Sequence, residues 1–173
     1  MAQLVLTAVG VDRPGLVGEL TRQFHEHGVS VADSRMVNLR GLFAWLSLVE
    51  GDTDALAVVR EALPRTAASL GLSLSMHDHE AAPPRAGSVP YKLRTYSMDR
   101  PGIVHKLSST LAKHGVNIES LDTRAESAPF DGTPLFTFEA RLSVPATLSL
   151  SMLRDDVRAA ADELNCDFDL ERA

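Results

Sequence analysis

The four residues Asp-Arg-Pro-Gly occur twice, at Asp12–Gly15 and at Asp99–Gly102, and each copy opens a helix-like stretch that closes on His-Gly-Val. Laid side by side, VDRPGLVGELTRQFHEHGVSV and MDRPGIVHKLSSTLAKHGVNI differ mostly by small steps, among them Leu16/Ile103, Phe24/Leu111 and Val31/Ile118. A duplication of this length constrains the fold more than composition does, because whatever the first half folds into the second half must repeat. At 173 residues the chain has room for two small domains.

Each copy sits in the same order of elements. Gln3 to Val9 is apolar on both alternating faces and rich in β formers, as a strand covered on both sides is. Pro14 suits the first turn of a helix, where its missing N–H has no partner, and Asp12 is placed to cap the free amides. Leu16, Leu20 and Phe24, with Val17, then recur at helical spacing, and Gly28 after His27 suits a left-handed stop. Val29 to Leu39 and Leu42 to Glu50 read as antiparallel strands joined by a tight Arg40-Gly41 hairpin. Asp52 or Thr53 caps a second helix carried by Leu56, Val59, Leu63 and Leu70, in which Pro64 predicts a kink or break. Leu72 to His79 supplies a fourth strand.

The expected fold is therefore α+β: two ferredoxin-like β-α-β-β-α-β units in tandem, each an antiparallel sheet with helices on one face. The first unit is placed at 1–80 and the second at 89–173, with a Pro-, Gly- and Ala-rich linker at 81–88. In the third strand of the first unit, Leu42, Ala44, Leu46 and Leu48 are expected to face the helices, leaving Phe43, Trp45 and Val49 on the outer face. The corresponding strand of the second unit turns Phe136, Phe138, Ala140 and Leu142 inward and Leu135, Thr137, Glu139 and Arg141 outward, so its outer face is expected to be polar. An aromatic outer face needs a cover, which either the second unit or another chain could supply, and an assembly larger than one chain, most simply a homodimer, is expected. The second hairpin is also the longer, with an added loop around Ser127–Gly132 that is either a partner-facing element or a tolerated insertion.

Several function classes are disfavoured. A net charge of −6 without a Lys/Arg cluster argues against direct nucleic-acid contact. No apolar run approaches the ~18 residues that span a bilayer, and the N-terminal stretch alternates as a strand rather than as a signal peptide, so a cytoplasmic protein with no membrane partner is expected. Cys166 is a lone cysteine, read as a small core residue. His77 and His79, with Glu80, share a strand end but lack an evident third ligand, so no metal is expected. No nucleophile elbow, phosphate loop or Cys-His signature is present, and neither a cofactor nor catalytic residues are expected.

The turn D-R-P-G-[LI]-V that opens the first helix of each copy, followed by H-G-V-[SN]-[VI] at the second strand, resembles the ACT domain. The likeness covers both halves, and two such domains with nothing else are most similar to tandem ACT proteins of the glycine cleavage repressor type. The resemblance implies a regulatory, non-catalytic, oligomer-forming protein that binds a small amino acid where ACT units meet and acts on a transcription factor or a metabolic enzyme. Physically, a helix N-terminus favours a carboxylate, and a glycine there lets a ligand approach the backbone; the competing account is that the turn only starts a helix.

The candidate ligand residues are Asp99, Arg100, Gly102, Ile103 and Val104 in the second copy, with Asp12, Arg13, Gly15, Leu16 and Val17 as the weaker equivalent. ACT-like sites often present an asparagine at the start of the second strand, which assigns Asn117 and Ile118 as strand-side contacts where the first copy has Ser30. Two other readings stay open. One is a ligand-free interaction module docking on an enzyme. The other is acylphosphatase-like hydrolysis, which shares the topology and would use Arg100 with Asn117.

Overall fold

A computed structural model of the chain describes residues 1–79, 87–127 and 134–173. The chain divides into two units, Met1–Pro83 and Pro84–Ala173. The first contains β1 (Ala2–Val11), α1 (Leu16–Glu26), β2 (Ser30–Leu39), β3 (Leu42–Gly51), α2 (Thr53–Ser69) and β4 (Leu72–Asp78). The second repeats the order with β5 (Ser88–Met98), α3 (Ile103–Lys113), β6 (Asn117–Ser127), β7 (Pro134–Pro145), α4 (Leu150–Leu164) and β8 (Asp167–Arg172). The sheets run β2-β3-β1-β4 and β6-β7-β5-β8, with every pairing antiparallel. This is the ferredoxin-like order, twice. The expected linker falls largely outside the described residues, and Ser88 already belongs to β5. The loop expected around Ser127–Gly132 also lies outside them beyond Ser127.

In the first unit, Leu4, Leu6 and Ala8 of β1 meet Leu16, Leu20 and Phe24 of α1 and Leu56, Val59 and Leu63 of α2. Val17, grouped with the apolar face of α1 by its spacing, is exposed. The helix-facing side of β3 is the reverse of the expected one. Phe43, Trp45 and Val49 are buried in the core, whereas Leu42 and Leu46 are exposed on the outer face with Ala44 and Leu48. Both alternating sets of β3 are apolar, so alternation alone does not choose between them. The neighbouring strand does: Trp45 lies opposite Ala8 and Phe43 opposite Gly10, the two small residues of β1 that leave room for large rings. The Trp45 ring then packs at 6.2 Å from that of Phe24.

Pro64 does not break α2, which continues from Thr53 to Ser69 around it. The turn after the first helix of each unit ends as expected, with Gly28 at φ 67° and Gly115 at φ 66° in the left-handed region. The two-residue hairpin Arg40-Gly41 has positive φ at both positions, the geometry that matches strand twist. A β-bulge shifts the register between Val31 and Asp33, and another does so between Ile118 and Ser120, at matching places in the repeat.

The second core is built from Leu93, Phe138, Leu142, Ile103, Leu107 and Leu111, with Leu153 and Val157 of α4 beneath. Its β7 alternates as expected, Phe138, Ala140 and Leu142 inward and Glu139 and Arg141 outward. Cys166 is buried and unpaired. The outer sheet faces of the two units differ. That of the first is aliphatic rather than aromatic. That of the second is charged around Glu139, which lies 3.9 Å from both Lys92 and Arg94, with Arg94 3.6 Å from Glu171, and carries exposed Tyr96, Met98 and Leu135 at the end beside the turn. No helix among the described residues is long and apolar enough to cross a membrane.

Candidate functional site

The repeated turn links the C-terminal end of each central strand to the first helix. Its glycine is required by conformation: Gly15 has φ 96°, ψ −12° and Gly102 has φ 99°, ψ −10°, a left-handed geometry that other residues adopt only with strain. A Cβ at either position would meet nothing within 4 Å, so steric room is not what demands glycine here. These glycines are themselves the N-caps, and the helices begin at Leu16 and Ile103. Asp12 and Pro14 therefore do not play the parts expected of them. Pro14 precedes the cap and lies outside the helix, and no side chain caps either N-terminus.

The Asp12 carboxylate is instead engaged by the hairpin tip. Asn38 Nδ2 donates to Asp12 Oδ2, Gly41 N donates to Asn38 Oδ1 at 3.0 Å, and Asp12 N donates to Gly41 O at 2.9 Å. This ring of three bonds ties the turn to the β2–β3 hairpin and leaves the first-turn amides of α1 uncapped. In the second unit Asp99 N donates to Pro134 O at 2.9 Å, and Ala125 stands opposite Phe136 as Asn38 stands opposite Phe43.

A shallow cavity opens beside each turn. The first, about 360 Å³, is walled by Asp12 through Gly18 and floored by Met36 and Phe43. The second, about 560 Å³, is walled by Arg100, Gly102, Ile103, Val104, His105 and Ser108 over Phe136. Leu16 and Ile103 are buried beneath their turns, whereas Val17 and Val104 are exposed at the rim. Among the described residues neither Arg13 nor Arg100 makes an ion pair, so each leaves a guanidinium charge beside an uncapped helix N-terminus. A carboxylate finds there oriented amides and a cation, and an apolar substituent finds an aromatic floor.

Asn117 and Ile118 lie elsewhere. Asn117 pairs with Ser143 on β7, whereas the cavity reaches that strand at Phe136, about 24 Å away at ~3.4 Å per residue. The Asn117 amide donates to Glu119 Oε1 at 2.6 Å and borders a separate hollow of about 380 Å³ with Ser88 and Ser143. The arginine–asparagine pair that acylphosphatase-like chemistry needs is thus not assembled within the unit. His77 is on the outer sheet face, its ring nitrogen 2.9 Å from Ser75 Oγ. Asn38, Met36, Phe43 and Phe136 were not anticipated as parts of the site; the clue available was that a two-residue hairpin must bring its flanks level with the turn.

Models of the ACT domain match residues 2–77 and 91–147. The chain belongs to the ACT-domain family. Along 162 residues, 94% of this chain and 85% of the relative, this tandem ACT protein is 26% identical to the glycine cleavage system transcriptional repressor of Escherichia coli. A crystal structure of a protein described only as unknown, from Galdieria sulphuraria, is 28% identical with a TM-score of 0.86 over 99% of this chain and 98% of that one. A second crystal structure, provisionally assigned as a glycine cleavage system transcriptional repressor, shares the fold at 23% identity and TM-score 0.74 over 99% of this chain and 97% of that one.

Proposed function

We propose that this tandem ACT protein is a non-catalytic regulator that binds a small amino acid at its repeated turns and, in response, modulates a transcription factor or a metabolic enzyme. The observation that carries the reading is the uncapped helix N-terminus behind each left-handed glycine, set beside an unpaired arginine and over an aromatic floor. The similarity to the E. coli repressor along nearly the whole chain supports the regulatory part. The second unit offers the stronger site, because its cavity is larger and because His105 and Ser108 line it where the first copy has Gly18 and Thr21. Asn117 and Ile118 enter such a site only if a second copy brings its own β6 alongside the turn.

The energetics suffice. Sensing a metabolite at millimolar to micromolar concentration needs ~4–8 kcal/mol, within reach of a ligand of under about ten heavy atoms at up to ~1.5 kcal/mol per atom. Isothermal calorimetry with glycine, serine and the branched-chain amino acids tests the reading. Saturable heat is expected for at least one, weakened about tenfold by Arg100→Ala through loss of ~1.4 kcal/mol. No heat for any of them favours the ligand-free interaction module.

A further inference from the structure

Building on the ligand reading above, we infer that the two turns take different amino acids: one with a hydroxyl or carboxamide side chain at the second turn, one with an apolar side chain at the first. His105 is the residue that sets the difference. The two helix starts are alike in conformation. The walls and floors beside them are not.

Three corresponding positions change from apolar or engaged to polar. In the helix wall, Gly18 of the first cavity is replaced by His105 in the second. One turn further on, the Thr21 hydroxyl donates to the carbonyl oxygen of Val17 at 2.8 Å, so it is occupied by its own helix. Ser108, at the matching place, is half-buried and lines the second cavity. Neither the Ser108 hydroxyl nor the His105 ring has a hydrogen-bond or ion-pair partner among the described residues. On the sheet, Met36 stands opposite Trp45 and floors the first cavity at 54% exposure, whereas the matching register position, opposite Phe138, holds Thr123.

The spacing selects the ligand. His105 and Ser108 are three residues apart on one face of α3, with a rise of ~4.5 Å between them. An α-carboxylate on the first-turn amides sits at the lower end of that wall. Three carbon–carbon bonds of ~1.5 Å carry the carboxamide of asparagine up to about 4 Å beyond its α-carboxylate, which brings it level with the imidazole and the hydroxyl. Imidazole and hydroxyl each donate and accept, as do the carboxamide of asparagine and the hydroxyl of serine, so the groups pair in either direction. A valine side chain would strip water from both and return no hydrogen bond. In the first cavity the preference reverses. Leu16, Val17 and Gly18 put no hydrogen-bonding side chain on the helix flank, and Met36 and Phe43 offer apolar contact below.

Amide NMR of the isotopically labelled full chain, titrated separately with serine, asparagine and valine, tests this division. Serine and asparagine are expected to shift Ile103, Val104 and Ser108 at about tenfold lower concentration than valine does, and valine to shift Leu16, Val17 and Gly18 before the second turn responds. His105→Ala and Ser108→Ala should each weaken asparagine at the second turn by about three- to tenfold, the worth of one hydrogen bond, and leave valine at the first turn unaffected. The reciprocal Gly18→His, at a position where a Cβ meets nothing within 4 Å, should strengthen asparagine at the first turn by a similar factor. A side chain that only supported its helix would not transfer the preference. Amide dispersion reports whether each variant has folded, and if His105→Ala has not, Gly18→His in the other unit decides. The same order of ligands at both turns, or an asparagine preference untouched by His105→Ala and Gly18→His alike, overturns the division while leaving amino-acid binding in place. Shifts at neither turn with any of the three amino acids remove the ligand reading and this division together.

Discussion

Asn38 donates its side-chain amide to the carboxylate of Asp12 and accepts from the amide of Gly41, so one residue locks the repeated turn of the first unit to the tip of the β2–β3 hairpin. The bonds are solvent-exposed, which limits their worth to about 1 kcal/mol. Asn38→Ala is expected to lower stability by that amount in urea titration and to broaden the amide resonances of Asp12 to Gly15. An unchanged turn would show that Gly41 alone holds it.

Close approach, rather than dihedral preference, fixes Gly10. A Cβ there would sit 2.6 Å from Leu72 Cδ2 and 2.8 Å from the carbonyl oxygen of Gly71, and the second contact is backbone that cannot swing aside. Gly10→Ala should therefore destabilise the protein by about 1–3 kcal/mol. The second unit has Ser97 at the matching position, where β8 stops pairing with β5 at Tyr96, one residue earlier than β4 stops on β1. Ser97→Ala is accordingly expected to change stability little, and equal losses at the two positions would contradict this account.

Thr95 is fully buried, and its hydroxyl has no hydrogen-bond partner among the described residues. The matching residue of the first unit is Ala8, so the fold itself does not require a polar group here. Thr95→Val keeps the shape and removes the unpaired oxygen, and is expected to be neutral or to stabilise by up to ~1 kcal/mol in thermal unfolding. A clear loss would mean that the hydroxyl is bonded in solution.

Much of this was legible in the chain because repetition and punctuation agree. Gly28 and Gly115, the Arg40-Gly41 hairpin, and the Leu16, Leu20 and Phe24 face each occupy the places that their chemistry predicts. What was not legible depends on neighbours distant in sequence. β3 is apolar on both faces, and only its pairing with Ala8 and Gly10 turns Trp45 and Phe43 inward. Asp12 has the composition of a cap, yet the left-handed Gly15 moves the helix start three residues on and frees the carboxylate for Asn38. The bulges at Ala32 and Glu119 leave no mark in the alternation of two edge strands, β2 exposed throughout and β6 exposed beyond Ile118. Asn117 illustrates the limit of a linear reading of the site, since its place in the motif says nothing about the length of β7 that separates it from the turn.

The glycine of each turn can be tested directly. Gly102→Ala places a Cβ on a residue at φ 99°, a strain of about 1 kcal/mol or more that is relieved by tilting the first turn of α3. Stability should fall by that order in urea titration, and the same change at Gly15 should cost as much. A silent Gly102→Ala would show that the turn geometry is not fixed by its glycine.

The central claim is that the uncapped first-turn amides receive the carboxylate of an amino acid. Amide NMR of the isotopically labelled full chain, titrated in turn with glycine, serine and valine, tests it most directly. The account predicts that at least one of them shifts the amide resonances of Ile103, Val104 and His105 first, and those of Leu16, Val17 and Gly18 at higher concentration. Saturating concentrations of all three that leave both turns unmoved, or shifts confined to the Asn117 and Ser143 end of the sheet, would contradict it.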